Sequence, residues 1–155
     1  MPLVILPTYS QSTSLLHSYW RLYIDAFSGS GSGILFGDLA FNGTVGGPDQ
    51  TTGGTAIASS YYSTFTPDRA FNNNTTNDGW ISNGSTVGQW IGYHFLLPVT
   101  VAEIIWYSTV LFGTASPTAF TLQYSDDGAL WTSVKSWSGL TPPSGFTNVT
   151  LTLAV

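Results

Sequence analysis

Between Phe120 and Trp131 the chain reads FTLQYSDDGALW. Phe120, Leu122 and Tyr124 alternate with Thr121, Gln123 and Ser125, the period of two that marks a strand with one face in the core. Asp127-Gly128 then supplies the backbone of a tight turn, and Leu130–Trp137 returns as the partner strand. The same alternation, rich in Val, Ile, Thr, Tyr, Phe and Trp, predicts strands at 19–27, 34–41, 56–60, 89–95, 99–107 and 149–155. Glycine and proline recur too often for a long helix. Many short strands punctuated by turns predict an all-β fold, a sandwich or barrel.

A chain of 155 residues is one domain's worth, and a domain of that size can bury about 68–70% of its unfolded surface. There is no cysteine, so disulfides and thiolate metal sites are excluded. Only 7% of residues are charged, which leaves Ser, Thr, Asn and Gly to cover the surface. Arg21, Arg69 and Lys135 are the only cations in a chain of net charge −5. Three cations cannot make the basic footprint of a nucleic-acid binder, and they argue against docking on anionic lipid. The opening MPLVILPTYSQ has a short apolar run with no basic residue before it. It reads as neither a signal peptide nor a membrane-inserting segment. Residues 1–18 are expected to form an arm and 19–155 a single domain. Ser28–Gly33, SGSGSG, is expected to be a flexible hairpin tip, and the glycine-rich stretch 42–54 a crossing connection within that domain.

Three blocks carry a resemblance to a known family. The first is IASSYYSTFTPDRAFNNNTTNDGW, ending at Trp80. The second is Gln89–Phe95, QWIGYHF, followed by Pro-Val and Ala102-Glu103-Ile104-Ile105. The third is the QYSDDGALW hairpin. In order and spacing, from Ala56 to Trp137, they resemble the discoidin family (coagulation factor V/VIII type C domains), a galactose-binding-like, jelly-roll β-sandwich used mostly to hold sugars or other surface ligands. Tyr19–Ile24, a glycine tip and Ile34–Phe41 resemble the hairpin that ends an ordinary member, but here it comes first. A sandwich whose termini lie side by side can be opened elsewhere without changing its packing. The resemblance therefore implies a circularly permuted order, as in phage structural proteins similar to this one. By the same resemblance Trp20, Trp90 and Trp131 should be core aromatics, while Trp80 and Trp106 are open to either a core or a platform role.

Asn72-Asn73-Asn74-Thr75-Thr76-Asn77-Asp78 is the densest run of oxygen donors, the kind a hard cation takes. Sugar-binding relatives hold Ca²⁺ in this loop with an acid from the closing hairpin. The resemblance thus implies a structural calcium site of Asn72, Asn74, Asp78 and Asp38, with Asn72 standing where the family more often has Asp. The run is also what tight polar turns are made of. The adjacent Asp126 and Asp127 cannot flank a glycosidic bond at the ~5–9 Å that hydrolysis needs, and His17 and His94 lack the partners of a zinc site. No nucleophile elbow or phosphate loop is present, so the chain is expected not to be an enzyme. The sequons at Asn42, Asn73, Asn74, Asn83 and Asn148 are what an Asn-, Ser- and Thr-rich chain generates by chance.

By family analogy the loops at one sandwich end, 60–67, 82–88 and 108–117, form the interesting surface. Tyr61, Tyr62, Trp80, Asn83 and Phe112 are its candidate ligand-binding set, with rings to stack on sugar C–H faces and amides to hold hydroxyls. The alternative is that these aromatics pack onto the core or onto a neighbouring subunit. The implied function is a phage virion accessory protein, made in the host cytoplasm, that decorates tail or capsid in many copies and binds cell-surface carbohydrate. A virion protein that only cements its neighbours, or a free bacterial lectin, are the other readings.

Overall fold

The structure, a computed structural model, describes residues 16–76, 78–108, 115–141 and 149–155. It is all-β apart from a short 3₁₀ turn at Pro67–Ala70. The strands are β1 (His17–Ser28), β2 (Leu35–Phe36), β3 (Asp38–Asn42), β4 (Thr55–Ala58) and β5 (Trp80–Ile81). They continue with β6 (Trp90–Val99), β7 (Glu103–Ser108), β8 (Ser116–Ser125), β9 (Thr132–Trp137) and β10 (Val149–Ala154). The larger sheet has the order β4-β6-β1-β8-β9, a second has β10-β7-β3, and β2 pairs with β5. Every named pairing is antiparallel. Among the described residues no helix is long and apolar enough to cross a membrane.

Alternation decides which side chains enter the core. On β1, Trp20, Leu22 and Ile24 are fully buried, and so are Ile91 on β6 and Phe120 and Leu122 on β8. From the opposite layer come Phe36, Leu39, Phe41, Ile104 and Trp106. The layers lock through edge-to-face rings: Phe36 lies 5.1 Å from Trp106 and 5.8 Å from Phe120, and Trp106 lies 6.2 Å from Phe120. Such pairs contribute about 0.5–1.5 kcal/mol each beyond the area they bury.

Three expectations need correction. Residues 19–27 and 34–41 do not form a hairpin. β1 pairs with β6 and β8 in the larger sheet, whereas β3 pairs with β7 in the other, so Ser28–Gly33 carries the chain from one layer to the other. Gly37 also splits the second segment, since β2 turns to β5 and β3 to β7. Trp90 and Trp131 are not core residues. Trp90 pairs with Tyr23 on the outer parity of β1, and both indoles are half-buried at the surface. Trp80 and Trp106, left open by the sequence, are both core residues. The tight turn at Asp127-Gly128 is present, with Gly128 at φ 72°. Asp127 contributes by accepting N–H bonds from Ala129 and Leu130 at 2.8 and 2.9 Å.

Phe36→Ala should cost about 3–5 kcal/mol, the range for emptying a buried aromatic site, read as a lower midpoint in chemical denaturation. Leu130→Ser, on a residue 79% exposed, should stay within about 0.5 kcal/mol of wild type.

Candidate functional site

Ser60 ties the loop 60–67 to the loop 82–88 and to β5 at one end of the sandwich. Its hydroxyl donates to Gln89 Oε1 at 2.7 Å and accepts the Asn83 N–H at 3.0 Å. Its carbonyl accepts the Trp80 Nε1–H at 2.7 Å. Tyr62 N–H bonds Ile81 O at 2.8 Å, which fixes the first loop onto β5. On the far side, Ser82 Oγ accepts the Ile34 N–H at 2.9 Å, and Gly84 N–H reaches Ser32 O at 3.0 Å. The glycine-rich stretch 28–33 therefore belongs to the same end, a neighbour that the sequence reading did not give it.

Among the candidate ligand residues, Tyr61 and Tyr62 are 52% and 43% exposed, and Asn83 is exposed beside them. Trp80 is fully buried. It presents no face to a ligand and instead holds Ser60 from below. Phe112 lies outside the described residues. The structure thus brings Tyr61, Tyr62 and Asn83 together on a braced rim, an arrangement that can stack a flat apolar face and hold hydroxyls.

The loop expected to hold calcium does converge with Asp38, though the convergence is one of donors upon carboxylates. Asp78 Oδ1 takes Arg69 Nη1 at 2.9 Å. Its Oδ2 accepts amide N–H groups from Asn72 at 2.9 Å and Asn74 at 3.3 Å. The side-chain oxygens of Asn72 and Asn74 are engaged by the N–H groups of Asn74 and Thr76. Asp38, buried in β3, accepts the Asn73 N–H at 3.0 Å, with Asn73 in the left-handed region at φ 57°. A calcium cage needs convergent free oxygens. Here the oxygens already accept hydrogen bonds and Arg69 supplies the positive charge, so these residues do not fit calcium as arranged.

The electrostatics follow. Burial pushes the Asp38 carboxyl up to about 6; the Asn73 N–H opposes the rise, and the charges of Asp49 and Asp78 add to it. Burial also raises Asp78, but bonds from Asn72, Gly79 and Arg69 outweigh it and hold that carboxyl below its ordinary value.

A second cluster, which the sequence reading missed, lies on the outer face of the larger sheet. The Arg21 guanidinium sits 3.9 Å from the Trp131 ring centroid, 5.0 Å from Trp90 and 5.6 Å from Tyr23. Gln123 Oε1 accepts its Nε–H at 2.8 Å. Burial among these groups lowers the Arg21 pKa, with Tyr23 opposing. Parity was the available signal: Tyr19, Arg21 and Tyr23 alternate with the core residues Trp20, Leu22 and Ile24.

The family model for the F5/8 type C domain matches residues 55–153. The chain belongs to this family. F5/8 type C (discoidin) domains are commonly ligand- or carbohydrate-binding and are generally non-enzymatic. No match was found among curated proteins or solved structures. The match to the F5/8 type C model begins at β4, so β1 to β3 precede it while contributing strands to the sheets built by the matched part.

Three outcomes follow. Since the folded pKa of Asp38 lies above its ordinary value near 3.8, its stabilising contribution is complete below about pH 4 and is lost as pH rises through 6. Relative to Asp38→Asn, wild type should therefore lose on the order of 3 kcal/mol between pH 4 and 7.5. Parallel pH curves for the two proteins would contradict this. Adding millimolar Ca²⁺ or EDTA should leave the Tm within about one degree, because a ligand bound only by the folded state would raise it. Arg69→Gln should lower the Tm at neutral pH.

Proposed function

We propose that this domain is a non-enzymatic carbohydrate-binding module of a phage particle, carried in many copies on tail or capsid and attached to glycans of the host surface. The observation that carries the binding reading is the braced rim of Tyr61, Tyr62 and Asn83. Two tyrosines stand in solvent on loops held by side-chain and backbone bonds, with a fully buried indole underneath. Preorganised rings and amides of this kind take weak sugar ligands without a large ordering cost. Multiplicity on a particle then raises overall avidity. The placement on a phage is supported by the permuted order that we infer. β1 lies between β6 and β8, and β3 lies beside β7, although both precede the stretch matching the family. The absence of cysteine and the hydroxyl-rich composition agree with assembly in a host cytoplasm.

A second reading, cementing of neighbouring virion proteins, is favoured by exposed apolar side chains and a groove near the end of β6. Leu96 and Leu97 are each 77% exposed, with Leu16 and Val45 also in solvent. A groove of about 370 Å³ runs between Leu16, Thr44, Pro48 and Pro98. Exposed leucines in this number are more typical of an interface than of a free surface.

A glycan array separates the two. Binding to bacterial surface polysaccharides that falls at least tenfold in Tyr62→Ala and Asn83→Ala is the expected result. Silence across the array, with Leu96→Ser/Leu97→Ser blocking particle assembly, would replace it with the cementing role.

A further inference from the structure

The outer face of the larger sheet should be the most polar surface of the molecule, because its inner parity already fills the core. Across β8 and β9 it is polar, with Thr121, Gln123, Ser133 and Ser136 joined by side-chain bonds. Across β6 and β1 it is not. Trp90, Tyr23 and Trp131 surround Arg21, with Trp90 and Trp131 6.0 Å apart, and Tyr19 stacks on His94 at 4.0 Å. Nothing in the core requires large rings here, since Trp90 and Trp131 stand outside the buried set.

Arg21 is one of three cations in the chain. Arg69 is paired with Asp78, whereas Arg21 meets no carboxylate among the described residues. The nearest acid along its own strand, Asp25, accepts the Thr121 hydroxyl at 2.6 Å. Gln123 takes the Nε–H, which sets the plane of the guanidinium. Its terminal nitrogens have no hydrogen-bond partner among the described residues. Gly92, across from Arg21 in register, keeps the space open: a Cβ there would come within 2.7 Å of Arg21 Cβ.

We infer that this face is a second ligand site, separate from the loop rim, for a carboxylate-bearing sugar ring: the Arg21 guanidinium takes the carboxylate and Trp131 and Trp90 take the apolar face of the ring. An oriented guanidinium with free terminal N–H groups matches a carboxylate in a two-point contact. Half-desolvated indoles beside it offer the area on which a pyranose lies, and the hydroxyl and amide groups of Gln123, Ser133 and Ser136 border it. A second copy of the chain fits less well. A two-fold contact centred on the cluster would place Arg21 against its own copy, and Asp25, the acid on that face, is already engaged by the Thr121 hydroxyl. The site stands on its own residues and does not depend on the loop rim.

The test is titration of the intact protein with a uronic-acid trisaccharide and with its carboxyl-reduced neutral counterpart, followed by amide and indole NMR shifts. Expected are shifts at Arg21 and at the indoles of Trp90 and Trp131, with at least tenfold weaker binding of the neutral sugar. Arg21→Gln should lose at least tenfold in affinity, and so should Arg21→Lys, which keeps the charge without the fork. Trp131→Ala should lose binding with a dispersed spectrum retained, while Tyr62→Ala should bind the uronate as wild type does. Equal affinity for both sugars, an unchanged Arg21→Gln, shifts confined to Tyr62 and Asn83, or equally tight binding of a glutamate-rich peptide would overturn the assignment. Failure of the loop rim would show separately, as loss of neutral-glycan binding with the uronate titration intact.

Discussion

The placement of β1 is the constraint on which the larger sheet depends. It is hydrogen-bonded to β6 on one side and β8 on the other, so without it the sheet falls into two ribbons, β4-β6 and β8-β9. Two-stranded ribbons are marginal in water. β1 holds its place by burying Trp20, Leu22 and Ile24 completely. Its indole also bonds the carbonyls of His17 and Val99, tying the start of β1 to the end of β6. The strand that closes the sheet therefore comes from a part of the chain that the family model does not cover, and the matched residues alone lack the centre of their own larger sheet.

With so few charges, each buried acid has a visible task. Glu103, 2% exposed, accepts Asn42 Nδ2 at 2.7 Å and the Gly46 N–H at 3.0 Å, so it anchors the start of the segment that crosses from β3 to β4. Asp38 does the same for the asparagine loop through Asn73. A buried carboxylate without donors would cost several kcal/mol. These two are tolerated because backbone N–H groups of irregular segments, which themselves need acceptors, point at them. Asp78 differs in being less buried and in accepting bonds from Asn72, Gly79 and the Arg69 cation together, and these move its pKa down while burial moves that of Asp38 up.

Much of the fold was legible because alternation is a local signal. The strands around Trp20, Ile91, Ile104 and Phe120 were found, and Thr132–Trp137 follows the turn as expected. Partnership was not legible. ILFGDLAF reads as one strand, but every residue of Leu35–Phe36 and Asp38–Asn42 is buried, so no polar face marks its break at Gly37 or its crossing to another sheet. Size alone points Trp90 and Trp131 to the core, yet both indoles are half-buried at the surface. In WIGYHF the core set is Ile91, Tyr93 and Phe95, which leaves Trp90 on the outer parity. The rim was half legible: Tyr61, Tyr62 and Asn83 were named, but Trp80 needed coordinates, because nothing local distinguishes an indole at the edge of a loop from one beneath it. Donor direction in the asparagine loop was not legible. A run of asparagines carries more N–H groups than oxygens, and here Asp78 and Asp38 accept N–H groups from Asn72, Asn74 and Asn73.

Trp80 shows how the core reaches the rim. Its ring packs 6.4 Å from Phe36, which in turn contacts Trp106 beside it and Phe120 across the sandwich. Its one polar atom leaves the core to hold the Ser60 carbonyl. Ser60 then uses its hydroxyl to set Asn83 and Gln89. A rotation of Trp80 would cost packing among those rings as well as a buried hydrogen bond, so the Ser60 carbonyl has one favourable position. The rigidity of the exposed tyrosine rim is therefore inherited from aromatic packing in the interior. The outer sheet face needs no such relay, because Arg21, Tyr23 and Trp90 rise directly from β1 and β6, and the same hydrogen-bonded ladder that fixes the fold fixes their spacing.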